Sequence, residues 1–210
     1  MNFNPRCMLE PWVDDVDFQT AYKRVIGNIV IPETKCWLLW TLAKRMYPYS
    51  GGEFWECGVF KGGSASIIAE AIRSRYAVLR LFDTFMGIPC KGDVDLHNVG
   101  DFNNTSVEMV KKVVGYEQAV IHQGIIPDTF AGLEGSEIVL CHVDVDMYQS
   151  VKECCEFVWP RLIVGGVMVF DDYAIPTCPG ARLATDEFFA DKKAWLVQSV
   201  DNGAVVFKPE

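Results

Sequence analysis

Nowhere do 18 consecutive apolar residues occur in the chain, so no stretch is long enough to cross a bilayer as a helix. The opening, MNFNPRCMLEPWVDD, lacks the apolar core that a secretory signal needs. Positive charge is scarce: 19 Lys and Arg against 28 Asp and Glu leave a net charge of −9. That balance argues against nucleic acid or an anionic membrane as the main partner, since both require a basic face. No two of the eight cysteines stand in a CxxC spacing, and Cys57 and Cys141 fall inside apolar runs, where a thiol behaves as a small hydrophobe. The expectation is a reduced, cytoplasmic protein with neither a disulfide framework nor a zinc site.

What the chain does have is alternation. Its 210 residues suffice for one well-buried domain, and 50% hydrophobic with 22% charged residues is ordinary globular usage. Residues 1–50 read as an N-terminal arm and helix available for acceptor or oligomer contacts. In ETKCWLLWTLAKRMYP, Leu38, Leu39, Leu42 and Met46 recur at helical spacing, Pro48 ends the helix, and Tyr49-Ser50-Gly51-Gly52 makes a turn. Residues 51–210 then repeat strand and helix. The strands are EFWECGV, VLRLF, AVIHQG, EIVLCHV and GGVMVF, and a lid-like insertion near 86–106 interrupts the series. Thr105 with Glu108, and Ser150 with Glu153, spell capping boxes for two of the helices. AWLVQSV-DNG-AVVFKP is a hairpin turning at Asn-Gly. The implied fold class is α/β: a doubly wound, mostly parallel seven-stranded sheet with a C-terminal antiparallel hairpin. This has the outline of a Rossmann-like class I methyltransferase, whereas a dehydrogenase would need a sixth βα unit.

Two sets of residues carry chemistry. The first is the loop Glu56-Cys57-Gly58-Val59-Phe60-Lys61-Gly62-Gly63-Ser64 between a strand and a helix, where glycines admit a ligand close to the backbone. Phe60 stands where a dinucleotide fingerprint has its second glycine, so a ligand without pyrophosphate fits better. Asp83 ends the next strand about 20 residues on, the position from which an acid bonds ribose hydroxyls. Thr84 follows it, and Gln123-Gly124 at the end of the third strand could reach an adenine edge. Each of these features, taken alone, also reads as a structural turn or cap.

The second set is acidic. Strands four and five lie side by side in the usual doubly wound order, which gathers Asp144, Asp171 and Asp172 at one rim. Clustered carboxylates repel one another unless a proton or cation intervenes, and neither segment offers a Lys or Arg. Oxygen-only ligands favour Mg²⁺, with Mn²⁺ or Ca²⁺ as alternatives. Asp146 is the candidate general base. An alcohol with a pKa near water's, about 15.7, lies roughly 12 units above aspartate, or about 16 kcal/mol, so base and metal are needed together. Alternatively, Asp146 is a second metal ligand or a helix N-terminal acid, and one of the Asp171-Asp172 pair only caps a turn. His142 and His122 read as satisfied core residues, while His97 in the insertion could touch substrate, although loop histidines are mostly bystanders.

Together the blocks ECGVFKGGS, FDTFMGIP, HQGIIPDTF, HVDVDMYQS, LIVGGVMVFDDY and CPGARLATDEF resemble the macrocin O-methyltransferase family and cover most of residues 53–190. The resemblance implies an S-adenosylmethionine- and divalent-metal-dependent O-methyltransferase acting on a hydroxyl of a sugar, glycoside or similar small molecule. It implies Mg²⁺ at Asp144, Asp171 and Asp172, Asp146 as base, and ribose binding at Asp83. The full cofactor set expected is Glu56, Gly58, Gly62, Gly63, Ser64, Asp83, Thr84, Gln123, Gly124 and Asp144, in a homo-oligomer, a dimer. Alternatives are a metal-dependent nucleotide-sugar transferase, because Asp144-Val145-Asp146 also spells DxD, and an inactive nucleoside-binding scaffold.

Overall fold

The computed structural model describes residues 10–46 and 52–210. Cys7, Pro48 and most of the turn 49–52 lie outside those residues. Before the sheet come α1 (Pro11–Asp14), α2 (Val16–Val25) and α3 (Glu33–Met46). The parallel strands are β1 (Glu53–Cys57), β2 (Leu79–Asp83), β3 (Ala119–Gln123), β4 (Ile138–Val143) and β5 (Leu162–Phe170). Between and after them run α4 (Gly63–Ile72), α5 (Val107–Val114), α6 (Tyr148–Arg161) and α7 (Pro179–Phe189). The hairpin β6 (Trp195–Gln198) and β7 (Ala204–Phe207) adds antiparallel strands, giving the order β3-β2-β1-β4-β5-β7-β6. This is the sheet that the alternation predicts.

A strand covered on both faces has no solvated side to populate with polar residues, and β4 is accordingly buried at every position. The pleat sorts side chains between two apolar clusters. Phe54, Leu79, Leu81, Val167 and Val169 join one, with α2 to α5. Trp55, Phe82, Met168 and Phe170 join the other, with α6 and α7. The register slips between Ile138 and Leu140, against β5 as well as β1. Glu53 pairs with Ile138 but Phe54 with Leu140, leaving Val139 as an extra residue, and this bulge puts Val139 and Leu140 in the same cluster.

The helix of the N-terminal region forms as its spacing suggests, but on a shifted face. α3 buries Cys36, Leu39, Trp40, Ala43 and Met46, whereas Leu38 and Leu42 are only half-buried. Apolar residues occur all around ETKCWLLWTL, so periodicity alone did not fix the inward side. The first described element, α1, is a single turn, and α2 carries Phe18, Ala21 and Val25 into the same core as α4.

Both expected capping boxes are corrected. Ser106 caps α5, accepting from the Met109 N–H at 3.1 Å, and the Thr105 hydroxyl donates to the Phe60 carbonyl instead. Ser150 lies inside α6, whose first N–H groups are served from a distance: Tyr148 N–H donates to Asp95 Oδ1 at 2.9 Å. Asp95 also accepts from the Gly92 N–H at 3.0 Å and is only 4% exposed. A buried acid from the insertion therefore caps a core helix and fastens the insertion over the carboxyl edge of the sheet. Among the described residues no helix is long and apolar enough to cross a membrane.

Candidate active site

β1 and β4 are the point at which the strand order reverses, and their carboxyl ends open into a cavity of about 320 Å³. One wall is acidic, formed by Asp144, Asp146, Asp171 and Asp172; another comes from the insertion, with Ile88, Pro89, His97 and Phe102. Val30, Ile31, Pro32 and Lys35 of the N-terminal region complete it.

Of the residues expected around a cofactor, Gly58, Asp83, Thr84, Gly124 and Asp144 line this cavity. Glu56, Gly62, Gly63, Ser64 and Gln123 are not among its lining residues. Glu56 is fully buried and meets His142 Nδ1 at 2.8 Å. Gly63 is closed off by the N-terminal region, because a β-carbon there would run into Asn28 and Ile29. Ser64 is buried in the first turn of α4, and Gln123 is exposed at the end of an edge strand. Gly58 has a structural duty as well: at φ 84° a side chain would collide with the Asp144 carbonyl, so glycine lets β1 and β4 end side by side. Asp83 shapes the loop. Its Oδ2 accepts from the Val59 and Phe60 N–H groups, each at 2.8 Å, and its Oδ1 from Phe85 N–H at 2.7 Å.

The acidic wall carries uneven charge. Burial, and then the neighbouring Asp171 and Asp172, push the Asp144 carboxyl well above its ordinary value. Asp172 is raised likewise, by burial and then by Asp146 and Asp171. Asp171 behaves differently: burial disfavours its charge, but His142 and Lys35 outweigh that and hold it below the usual carboxylate range. Lys35 Nζ, 5% exposed, donates to Asp171 Oδ2 at 2.6 Å and to the Asp171 carbonyl at 2.8 Å. The expectation that no lysine neutralises the cluster is thus corrected by a residue from α3, remote in sequence. His142 is also no bystander. Burial opposes its cation, yet Asp171 and Glu56 reverse the balance and push it up to about 10.

These facts bear on a metal. His142, Asp144 and Asp171 each bring a ligand atom within 4.8 Å of the others. At half-buried Asp144 and buried Asp172 the neighbouring carboxylates outweigh the pull of His142 and Lys35, and His142 Nε2 has no hydrogen-bond partner. Hard carboxylate oxygens that repel one another despite Lys35 and His142 fit a divalent cation of the Mg²⁺ kind.

Asp146 links the wall to the insertion. It adopts a left-handed backbone, φ 58°, and its N–H donates to Asp172 Oδ2 at 3.0 Å. That conformation costs a non-glycine residue about 1–2 kcal/mol, and such strain tends to persist where function requires it. Burial raises the Asp146 carboxyl above its ordinary value, although the Cys178 thiol and His97 pull it down. The thiol donates to Asp146 Oδ1 at 3.4 Å, and His97 Nε2 lies 3.7 Å from the same oxygen.

Lys35 and Cys178 are the site residues that sequence reasoning missed. Lys35 left a trace, since it shares the helical stripe of Leu39 and Met46, an odd place for a charge. Cys178 left none: its partners are His97 and Asp146, and no fixed spacing joins the three.

Residues 48–209 match the family described as Macrocin-O-methyltransferase (TylF). Over 148 residues the chain is 28% identical to an 8-demethyl-8-(2,3-dimethoxy-alpha-L-rhamnosyl)-tetracenomycin-C 4'-O-methyltransferase of Streptomyces olivaceus, covering 62% of this chain and 56% of that protein. It is 27% identical over 155 residues to a demethyldecarbamoylnovobiocin O-methyltransferase of Streptomyces niveus, covering 66% and 58%. The chain therefore spans little more than half the length of these curated relatives. Among solved structures, the O-methyltransferase NovP superposes with a TM-score of 0.77 at 22% identity, over 87% of this chain and 83% of that one, which shows a shared fold.

Proposed function

Because the chain belongs to the macrocin-O-methyltransferase family, we propose that it transfers a methyl group from S-adenosylmethionine to a hydroxyl of a sugar or glycoside with the help of a divalent metal. The observation that carries this reading is the acidic wall, where carboxylate repulsion at Asp144 and Asp172 outweighs the pull of His142 and Lys35, beside a strained, cavity-lining Asp146.

Each residue has a role that its surroundings support. Asp144, Asp171 and Asp172 would hold Mg²⁺, which when bound supplies positive charge that acidifies an acceptor hydroxyl. The donor's sulfonium supplies an electrophilic methyl group, and Gly58, Asp83, Thr84 and Gly124 form the wall along which it would lie. Asp146 accepts the acceptor's proton as the C–O bond forms and the C–S bond breaks, with the electron pair left on sulfur. Its raised pKa makes it a stronger base than an ordinary aspartate. Lys35 and His142 hold Asp171 ionised and in place. Ile88, Pro89 and Phe102 of the insertion keep water from the reacting atoms.

Calorimetry with S-adenosylhomocysteine and with a nucleoside diphosphate, each with and without Mg²⁺, separates this reading from a nucleotide-sugar transferase and from an inert scaffold. Methyl transfer to a panel of sugar and glycoside hydroxyls then tests the acceptor class. Asp146→Asn is expected to keep S-adenosylhomocysteine affinity while turnover falls about 100-fold or more. Turnover close to wild type would show that Asp146 is not the base.

A further inference from the structure

A second group of ligand atoms adjoins the all-oxygen set, since the Asp146 N–H donates to Asp172 Oδ2 at 3.0 Å. Cys178 Sγ is 3.4 Å from Asp146 Oδ1 and 3.5 Å from His97 Nε2, and His97 Nε2 is 3.7 Å from Asp146 Oδ1. Atoms bound at about 2.0–2.3 Å to a tetrahedral centre are separated by roughly 3.3–3.8 Å, so the three already outline one face of a tetrahedron. All three line the cavity, which leaves a fourth position open to a small molecule or water. The surroundings fit as well. His97 Nδ1 lies 3.6 Å from Asp101 Oδ2, the outer carboxylate that commonly orients a metal-binding histidine. Phe102 packs against the His97 ring with centroids 5.4 Å apart. Cys178 immediately precedes α7; burial, then Asp172 and Asp146, push its thiol up, so a cation bound there would have to displace the thiol proton.

We propose that His97, Asp146 and Cys178 form a site for a thiophilic divalent cation of the Zn²⁺ class, and that its occupation pins the insertion to the sheet edge and halts methyl transfer. A sulfur–nitrogen–oxygen set selects Zn²⁺ over Mg²⁺, while the neighbouring carboxylates do the reverse, so the two sites sort the two ions. A cation on Asp146 Oδ1 draws charge from the carboxylate and weakens it as a base for the acceptor's proton. This inhibitory consequence rests on the methyl-transfer reading; the binding does not.

Co²⁺ serves as a visible probe in a Cys7→Ser/Cys90→Ser background, which removes a thiol outside the described residues and an exposed one. A sulfur-to-cobalt charge-transfer band is expected, displaced by one equivalent of Zn²⁺. Cys178→Ser should abolish the band and weaken Zn²⁺ binding, measured by calorimetry, about tenfold or more; His97→Gln should keep the band while weakening binding similarly. In saturating Mg²⁺, Zn²⁺ should suppress turnover, and Cys178→Ser should need about tenfold more Zn²⁺ for the same loss. The proposal is overturned if no band forms, if the band survives Cys178→Ser, or if the filled site leaves turnover unchanged. Should no condition give turnover, the methyl-transfer reading fails, and the cobalt spectrum still decides the site.

Discussion

The glycine loop after β1 and the acidic wall after β4 and β5 leave the same edge of the sheet, yet their residues face different things. In the loop, Gly58 answers to the Asp144 carbonyl and Gly63 to Asn28 and Ile29, so both positions serve close packing of protein against protein, and of the two Gly58 also lines the cavity. In the wall, half-buried Asp144 and buried Asp172 are each hindered from ionising by burial and by neighbouring carboxylates. A glycine reports that something comes near the backbone and is silent about what. A buried carboxylate without a partner is costly unless something arrives to neutralise it, and for that reason it points to a ligand more directly.

The largest effect that would sharpen the contrast lies at Lys35, the one ammonium bonded to the wall among the described residues. Lys35→Met leaves Asp171 buried beside His142 alone and should cost about 3–5 kcal/mol in chemical denaturation. Lys35→Met/Asp171→Asn should recover most of it, because the stranded charge is then gone. A single-variant loss below about 1 kcal/mol would mean that the pair is more solvated than its 2.6 Å contact and its burial imply. A smaller effect tests the loop. Gly63→Ala drives a methyl group into the N-terminal region and should cost about 1–3 kcal/mol with S-adenosylhomocysteine affinity unchanged. Affinity lost at full stability would place Gly63 against the ligand and dissolve the distinction between loop and wall.

Much of this was legible in the sequence for a physical reason. A parallel strand buried on both faces is an apolar run, and EIVLCHV and GGVMVF stand out as such; acids that directly follow those runs must sit at the carboxyl edge. The fold and the gathering of Asp144, Asp146, Asp171 and Asp172 follow from those two facts and the strand order. What stayed hidden depends on packing between distant segments. Lys35 reaches Asp171 only because α3 lies over the sheet, and the bulge at Val139 is set by the pairing of β1 with β4. Asp95 replaced the expected cap of α6 because the insertion folds back over it, a contact with no local signature. Glu56 was read as a ligand residue from its place beside the glycines, but strand alternation and His142 take it inward.

The subtlest prediction concerns the wall without its metal. A carboxyl raised in the folded state binds a proton more tightly there than in the unfolded chain, so the native protein holds more protons above the ordinary carboxylate value, about 4. Stability from Asp144 and Asp172 is therefore complete at or below that value and is lost as pH rises through their raised folded values. His142 adds the same sign at higher pH, because its stabilisation fades as pH climbs toward about 10. Asp171 acts oppositely, but only as pH falls through its lowered value, below the ordinary carboxylate range. In a chelator, then, the melting temperature should rise on acidification from about 7 to about 5. Saturating Mg²⁺ should flatten that slope by supplying the missing charge. Asp144→Asn should flatten it with no metal at all and stabilise the metal-free protein at neutral pH by about 1 kcal/mol while abolishing the Mg²⁺ response. A metal-free slope that survives Asp144→Asn would mean that the wall's repulsion is relieved by solvent, and the contrast with the loop would then rest on geometry alone.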